Sequence, residues 1–586
     1  MMTFSQLIFP QAPGILWQKS VPLTCVLSAL REMGQGKDAS VAGRGQPRVA
    51  GFKGPGDLPS IPDINYASFM LQRMQAHGDS VAMVDAETNG RRTYAELCQL
   101  IPRASGGLKA AGVRPGDVVL LVTRNHIDFP LAMLAVIHRG AACAPVSPTL
   151  RPDELAHVAK VSEAKYVIAC ASAVGAVKEA YSRLPKWTLE RLWVLDSSQG
   201  VVAFEQLLQE DSIAAFGMAE GLDPARSVAL LPFSSGTTGL PKGVMLSHRS
   251  LLVPHVRSVY QNSISPKTWN SAAELYKSVM LLLPFTHTYG HGMIATTLFH
   301  GGSVVVLRKF SPKSFFETIE KFKVTWAPIV PYIANFLIDT PLMKQYDISS
   351  LMGFTTAAAP VSAAALTSLM KKSGRGVGTA YGLTETNGAV SVNSRAFGYN
   401  PESVGRIVPF TEVKVVDVES GRMLGEGREG EVCARGPSVM LGYVSDPKAT
   451  AAALDAEGWL HTGDVGYFDE DNFLFITDRI KDLIKVKGLQ VSPTELEALL
   501  LSHRDVEDAA VVGVPHVRLG EAPRAHVVLR AGTTLRPRDL EKFVEERVSA
   551  YKQLAGGVKI VDAIPRNPAG KILRRQLKRE FMASKL

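Results

Sequence analysis

The chain has 586 residues, 46% apolar and 20% charged, an ordinary globular composition that excludes a largely disordered protein. At ~150 residues per domain it has room for several compact units or fewer large ones. Its 64 basic and 55 acidic residues leave a net charge of +9, a mild excess that suits small anionic substrates as well as nucleic acid and singles out neither.

Residues 1–36 carry one acid, Glu32, and the first lysine, Lys19, follows the apolar stretch instead of preceding it. This is not the layout of a secretory signal, and it leaves a mitochondrial presequence open. Residues 38–62 are rich in Gly, Pro and Arg, so 1–55 reads as an N-terminal extension and linker. From Tyr66 onward helical and strand patterns alternate. Val118-Val119-Leu120-Leu121-Val122, after the turn Pro115-Gly116-Asp117, reads as a buried strand, and Phe129 to His138 as a helix closed by Gly140. Ala144-Pro145-Val146 resumes extended structure, and further strands are expected at 167–169, 192–195, 228–231 and 304–307. This alternation predicts an α/β fold, layered, with mostly parallel sheets. No membrane span is expected, because the best candidate, Phe129 to Leu150, is broken by His138 and Arg139.

Past a boundary near Asp478–Asp482 the pattern changes. Strand runs at 509–514 and 525–529, flanked by helical patterns at Thr494–Leu501 and Pro537–Tyr551, predict a small α+β domain with its own sheet. The expected division is thus a large domain over 56–480 and a small one over 481–586. The five cysteines, Cys25, Cys98, Cys143, Cys170 and Cys433, lie far apart with no C-x-x-C, so neither a disulfide framework nor a zinc site is expected.

The densest polar segment is Ser234-Ser235-Gly236-Thr237-Thr238-Gly239-Leu240-Pro241-Lys242-Gly243, directly after the strand expected at 228–231. Its glycines let backbone N–H groups converge on one anion, its hydroxyls add donors, and Lys242 adds a mobile cation. It is not a Walker P-loop, since Pro241 precedes the lysine and no Ser or Thr follows it.

With this loop the sequence resembles the adenylate-forming acyl-CoA synthetases, in the branch of 4-coumarate–CoA ligases and beetle luciferases, from about Pro62 to Lys578. The resemblance implies a large layered α/β domain plus a mobile small domain. It also implies a two-step reaction, in which a carboxylate and Mg-ATP give acyl-adenylate and pyrophosphate, and the CoA thiol then takes the acyl group and releases AMP. The co-substrates implied are ATP, Mg2+ and CoA, with a small carboxylic acid as substrate and no nucleic-acid partner. The 235–242 loop would hold the β- and γ-phosphates. Tyr381-Gly382-Leu383-Thr384-Glu385 matches Y-G-x-T-E, in which the ring packs on adenine, Thr384 touches the α-phosphate and Glu385 holds Mg2+. Gly458-Trp459-Leu460-His461-Thr462-Gly463-Asp464 matches G-W-x-x-T-G-D, in which Asp464 accepts both ribose hydroxyls, with Arg479 reaching the ribose as well.

Ile480 to Gln490 matches the family hinge, with Lys481 at the pivot; Lys485, Lys487, Gly488 and Gln490 would serve the second step and the CoA tunnel. Pro565 to Arg575 matches P-x-x-x-x-G-K-I-x-R-R, which makes Lys571 the expected adenylation lysine. His287, in Leu283 to Gly290, falls on the acyl-gating histidine; Tyr289, Tyr332, Ala357, Ala358 and Ala380 would wall the acyl pocket. Ala357 replaces a family glycine, and Thr379-Ala380 replaces the Gln-Gly of plant coumarate ligases, so a hydroxycinnamate substrate is put in question. A luciferase-like monooxygenase and a fatty-acyl-specific synthetase remain open beside an aryl-CoA ligase. The terminal Ser584-Lys585-Leu586 matches the S-K-L address of the peroxisomal import receptor, so a peroxisomal location is expected.

Overall fold

The computed structural model describes residues 47–51, 57–184, 189–196, 201–209, 222–234, 241–264, 271–394, 398–480, 482–486, 489–516, 518–567 and 570–583, with backbone alone at 489 and 490. Several expectations fall outside these: Ser235, Gly236, Thr237, Thr238, Gly239, Lys481, Lys487, Gly488, the Gln490 side chain and Ser584-Lys585-Leu586.

The described residues form three sheets. One has a parallel centre, with Val118–Val122 between Ala142–Val146 and Tyr166–Ala169, continued by Arg191–Val194. Val118–Val122 is a strand for the reason its sequence offers: β-branched and leucine side chains buried after the turn at Gly116, whose φ of 86° needs glycine. The largest sheet is parallel through Val81–Asp85, Ser303–Val306, Ser278–Leu281, Trp326–Ile329, Gly353–Thr356 and Gly376–Leu383. From Gly376–Leu383 onward it turns antiparallel, through Gly388–Asn393, Gly405–Ile407, Phe473–Arg479, Leu460–Phe468, Gly430–Arg435 and Glu412–Val416. Parallel pairing therefore holds for one half of this sheet and gives way in the other, where short connections replace crossover helices.

The helices Tyr66–Met74, Tyr94–Ala110 and Phe129–His138 pack in one core with Val119 and Leu121 of the first sheet and Val279, Leu281, Val304 and Val306 of the second. Phe129–His138 is buried on every side, as its unbroken apolar run requires of a helix between two sheets. The third sheet, with Ile484–Val486, Val506–His516, Gly520–Leu529 and Val558–Ile560, has a separate core of Ile484, Leu496, Val511, Val527 and Leu540.

Two expectations are corrected. Part of the linker is structured: Ala50–Gly51 pairs with Glu412–Val416, and Arg48 bonds Glu426 at 2.7 Å and Asn472 Oδ1 at 2.9 Å. Composition hides this, because an edge strand of two residues leaves no periodic signal. The helix expected to run to Tyr551 stops at Glu545, with Ser549 extended ahead of a 3-10 turn, Ala550–Lys552. Val548 and Tyr551 still pack against the core of Leu540 and Val544, so the apolar spacing continues through a break in the backbone.

Four histidines are buried in the large domain and His300 is half-buried there: burial pushes His255 and His291 down to about 3 and His138, His248 and His300 to about 4. Unfolded histidine titrates near 6.5. The unfolded chain therefore binds more protons below that value. Stability is complete above pH ~6.5 and falls as pH drops toward the folded values, by up to ~1.4 kcal/mol per group per pH unit. Urea unfolding at pH 7.5 and 5.5 should show a clear loss at the lower pH; equal midpoints would contradict this burial.

Candidate active site

The sequence motifs meet around one cavity of about 1190 Å³. It lies where the helices His248–Ile264 and Thr288–Phe299, the strand Gly376–Leu383 and the loop before Arg574 come together. Ser234, Lys242, Tyr381, Gly382, Thr384, Glu385 and Arg479 all line it.

Ser234 and Lys242, at the two ends of the polar Gly-rich segment, are directly opposed residues of an antiparallel pair. Ser234 Oγ donates to Glu385 Oε1 at 3.0 Å, and Tyr443 Oη donates to the same oxygen at 2.9 Å. The Lys242 ammonium lies 5.1 Å from the Tyr443 ring centre. Burial, with Glu385 adding to it, raises the Tyr443 phenol well above its ordinary pKa, so it stays a neutral donor. Gly382 is required where it stands: a Cβ there would come within 2.0 Å of Gly388 O on the adjacent strand.

Asp464 is 2% exposed and accepts from Arg479 Nε at 2.8 Å and Tyr381 Oη at 2.8 Å. It is not among the residues that line the cavity, whereas Thr462, Gly463 and Arg479 are. Asp464 thus holds Arg479 and Tyr381, both of which line the cavity. Its oxygens hold the wall from behind, and Arg479 and Tyr381 present that wall.

His287, Tyr289, Ala357, Ala358 and Ala380 also line the cavity. His287 caps Thr288–Phe299, its Nδ1 accepting from Tyr289 N at 3.2 Å. Burial lowers its pKa, so the ring is neutral with its proton on Nε2. Tyr289 Oη donates to Thr355 O at 2.8 Å, and Ala358 takes a left-handed φ of 73°. Tyr332 is the exception: it is 44% exposed, does not line the cavity, and lies edge-on to Phe310 near Gly570. It occupies the first turn of Pro331–Asp339, whose core-facing side is taken by Ile333, Ala334 and Leu337.

Lys571 and Asn567 bring the small domain to the cavity. The loop is fixed by its own bonds. Lys571 N donates to Asn567 Oδ1 at 2.9 Å, and Asn567 N to Lys571 O at 2.9 Å. Arg566 bridges Gly570 O at 3.0 Å and Asp508 at 2.8 Å. Lys485 is exposed on the strand Ile484–Val486 and does not line the cavity. One conformation thus brings Lys571, and not Lys485, to the site.

Some neighbours carry no sequence signal. Tyr443 is a lone tyrosine after Gly442. Cys433 and His461 are opposed across two strands, with Sγ 3.5 Å from Nδ1, and that nitrogen is 2.8 Å from Glu431 Oε2. The cysteine spacing gave no hint of this Glu–Cys–His cluster. Burial pushes the Cys433 thiol up to about 12.

The family model described as AMP-binding enzyme matches residues 71–444, and AMP-binding enzyme C-terminal domain matches 495–571. The chain is 39% identical over 537 residues to 4-coumarate–CoA ligase-like 9 of Oryza sativa subsp. japonica, covering 89% of this chain and 94% of that one. It is 32% identical to luciferin 4-monooxygenase of Photinus pyralis, covering 91% and 97%. Among solved structures, ATP-bound MatB from Rhodopseudomonas palustris aligns with a TM-score of 0.78 at 26% identity, covering 88% and 99%. The chain belongs to the AMP-binding enzyme family, within the adenylate-forming group that contains the 4-coumarate–CoA ligases.

Proposed function

We propose that the protein is an AMP-forming acid–CoA ligase for an acyl or aryl carboxylic acid. A carboxylate oxygen bonds to the α-phosphorus of ATP as the bond to pyrophosphate breaks. The CoA sulfur then bonds to the acyl carbon as the bond to AMP breaks. The observation that carries this reading is the Lys571 side chain of the small domain in the same cavity as Tyr381, Thr384, Glu385 and Arg479 of the large one.

The chemistry follows from charge. A carboxylate and a triphosphate repel, and the barrier falls when fixed cations and donors face the charge that develops between them. Lys571 supplies an ammonium between the two reactants. Lys242 and the hydroxyls of the 234–242 segment hold the departing pyrophosphate. Arg479 and Tyr381 fix the nucleoside. His287, neutral with a proton on Nε2, donates toward the acid. Glu385 suits a hard cation: Oε1 takes Ser234 and Tyr443, and Oε2 remains for Mg2+, which when bound would offset phosphate charge. Because Lys485 stands outside the cavity, the second step calls for rotation of the small domain about Lys481, bringing Lys485 and the CoA residues Lys487, Gly488 and Gln490 inward.

The test incubates the full chain with ATP and a panel of cinnamates, benzoates and fatty acids. Pyrophosphate release should require an acid and be suppressed by EDTA. Thioester and AMP should appear only with CoA. Product that forms without CoA, consumes O₂ and emits light would instead make the enzyme an oxygenase. Uptake into peroxisomes rests on Ser584-Lys585-Leu586 alone. Deleting that tripeptide from a chain fused at its N-terminus to a fluorescent protein should release the signal from peroxisomes into the cytosol; an unchanged distribution would refute the address.

A further inference from the structure

One cationic residue of the cavity has no part in the chemistry above. Arg257 lies on the helix His248–Ile264, lines the cavity and is 7% exposed. Its Nη1 donates to Ala389 O at 3.0 Å, and its Nε is buried without a hydrogen-bond partner. Among the described residues no carboxylate bonds to it. Burial alone pushes its pKa down, to about 10, and no neighbouring charge contributes, including Glu385 and Glu431 of the same cavity. It is a cation at neutral pH.

A buried guanidinium without an anion is costly, and natural interiors rarely keep one unpaired. Here it is also held in place. Ala389 is paired with Gly382 across the sheet, so the carbonyl that receives Nη1 belongs to the rigid strand next to the Tyr381-Gly382 motif. One donor is used to fix the fork, and Nη2, which is neither bonded nor sealed off, remains for a carboxylate oxygen. The surroundings are polar as well. Gln261 and Asn262, on the same helix, line the cavity. His291 and Thr379 line it with buried Nε2 and Oγ1 atoms that lack partners. A hydrocarbon tail packed here would leave the guanidinium without an anion.

We propose that Arg257 is the receptor for a second carboxylate, carried on the acid substrate away from the reacting one, so that the preferred substrates are dicarboxylic acids. This rests on the ligase reading and narrows its substrate class. Two other anions could meet the same guanidinium, the reacting carboxylate itself and a phosphate of CoA, and the experiment separates all three.

Matched pairs that differ only in the distal group serve as probes: suberic against octanoic acid, and 4-carboxycinnamic against cinnamic acid. Pyrophosphate release is measured with and without CoA, for wild type, Arg257→Gln and Arg257→Lys. Thermal protection by each acid in the presence of ATP is read in parallel. Wild type should prefer the diacid of each pair by on the order of 100-fold in kcat/KM. Arg257→Gln should erase that preference, mainly through KM for the diacid. If glutamine prevents folding, Arg257→Lys, which keeps charge without the fork, should still reduce it. A wild-type preference for the monoacid overturns the proposal. So does an equal loss for both members of a pair, which would assign Arg257 to the reacting carboxylate. A loss confined to the CoA-dependent step overturns it too, in favour of the CoA phosphate. Should no acid release pyrophosphate, the ligase reading fails, and the melting data still decide the anion site: protection by the diacid alone, lost in Arg257→Gln, supports it, and equal protection refutes it.

Discussion

The buried Asp464 carboxylate is the fixed point of this site. It accepts from Arg479 Nε and Tyr381 Oη, each at 2.8 Å, and so joins three strands, Gly376–Leu383, Leu460–Phe468 and Phe473–Arg479. Two residues that line the cavity are thereby positioned by one buried side chain. Arg479 is also the last residue of its strand before the chain crosses to the small sheet. Next to it, Asp478 accepts from Ser492 Oγ, the residue that caps Pro493–Leu501 in the small domain. Glu497 on that helix pairs with Arg574, three residues beyond Lys571, and Arg574 also lies 3.6 Å from Asp482 in the crossing segment. A short run of charged and hydroxyl groups thus connects this wall of the cavity with the loop that carries Lys571. Burial raises the pKa of Asp478 and Glu497, so these are groups whose partners matter: a buried carboxylate that loses its donor is costly.

Charge within the cavity follows the reaction. Lys242, Arg257, Arg479 and Lys571 line it, against Glu385 and Glu431. Both acids are already engaged: Glu385 with Ser234 and Tyr443, Glu431 with His461 and the Gly463 N–H. The surplus is positive and local, whereas the net charge of the whole chain is only mildly so. A surplus of this kind acts on two anions that must approach one another, and costs no reorganisation when they react.

Much of this was legible in the sequence because it was local. Strand 118–122 and helix 129–138 are set by neighbouring residues, and the loop, Y-G-x-T-E and terminal G-K-I motifs keep their chemistry within ten residues or so. What escaped was set by contacts between distant segments. Tyr443 matters because its strand lies against Lys242–Ser247, with Val244 opposite it. Cys433 and His461 meet through strand register, which residue spacing along the chain does not encode. Arg257 sits in a His-Val-Arg run with no motif around it, and its place at the cavity comes from the packing of its helix. Tyr332 was misplaced for the converse reason: family position put it in the wall, and the orientation of Pro331–Asp339 turned it outward. Antiparallel pairing in half of the large sheet likewise depends on which edges meet, and alternating strands and helices elsewhere in the chain drew attention away from it.

The central claim is that the small domain delivers one ammonium, from Lys571, to a nucleotide already held by the large domain. Single-turnover formation of acyl-adenylate without CoA, compared between wild type and Lys571→Ala, tests it most directly. The account predicts a rate lower by on the order of 100-fold or more, with ATP binding by calorimetry largely kept. Adenylate formed by the variant at the wild-type rate would contradict it.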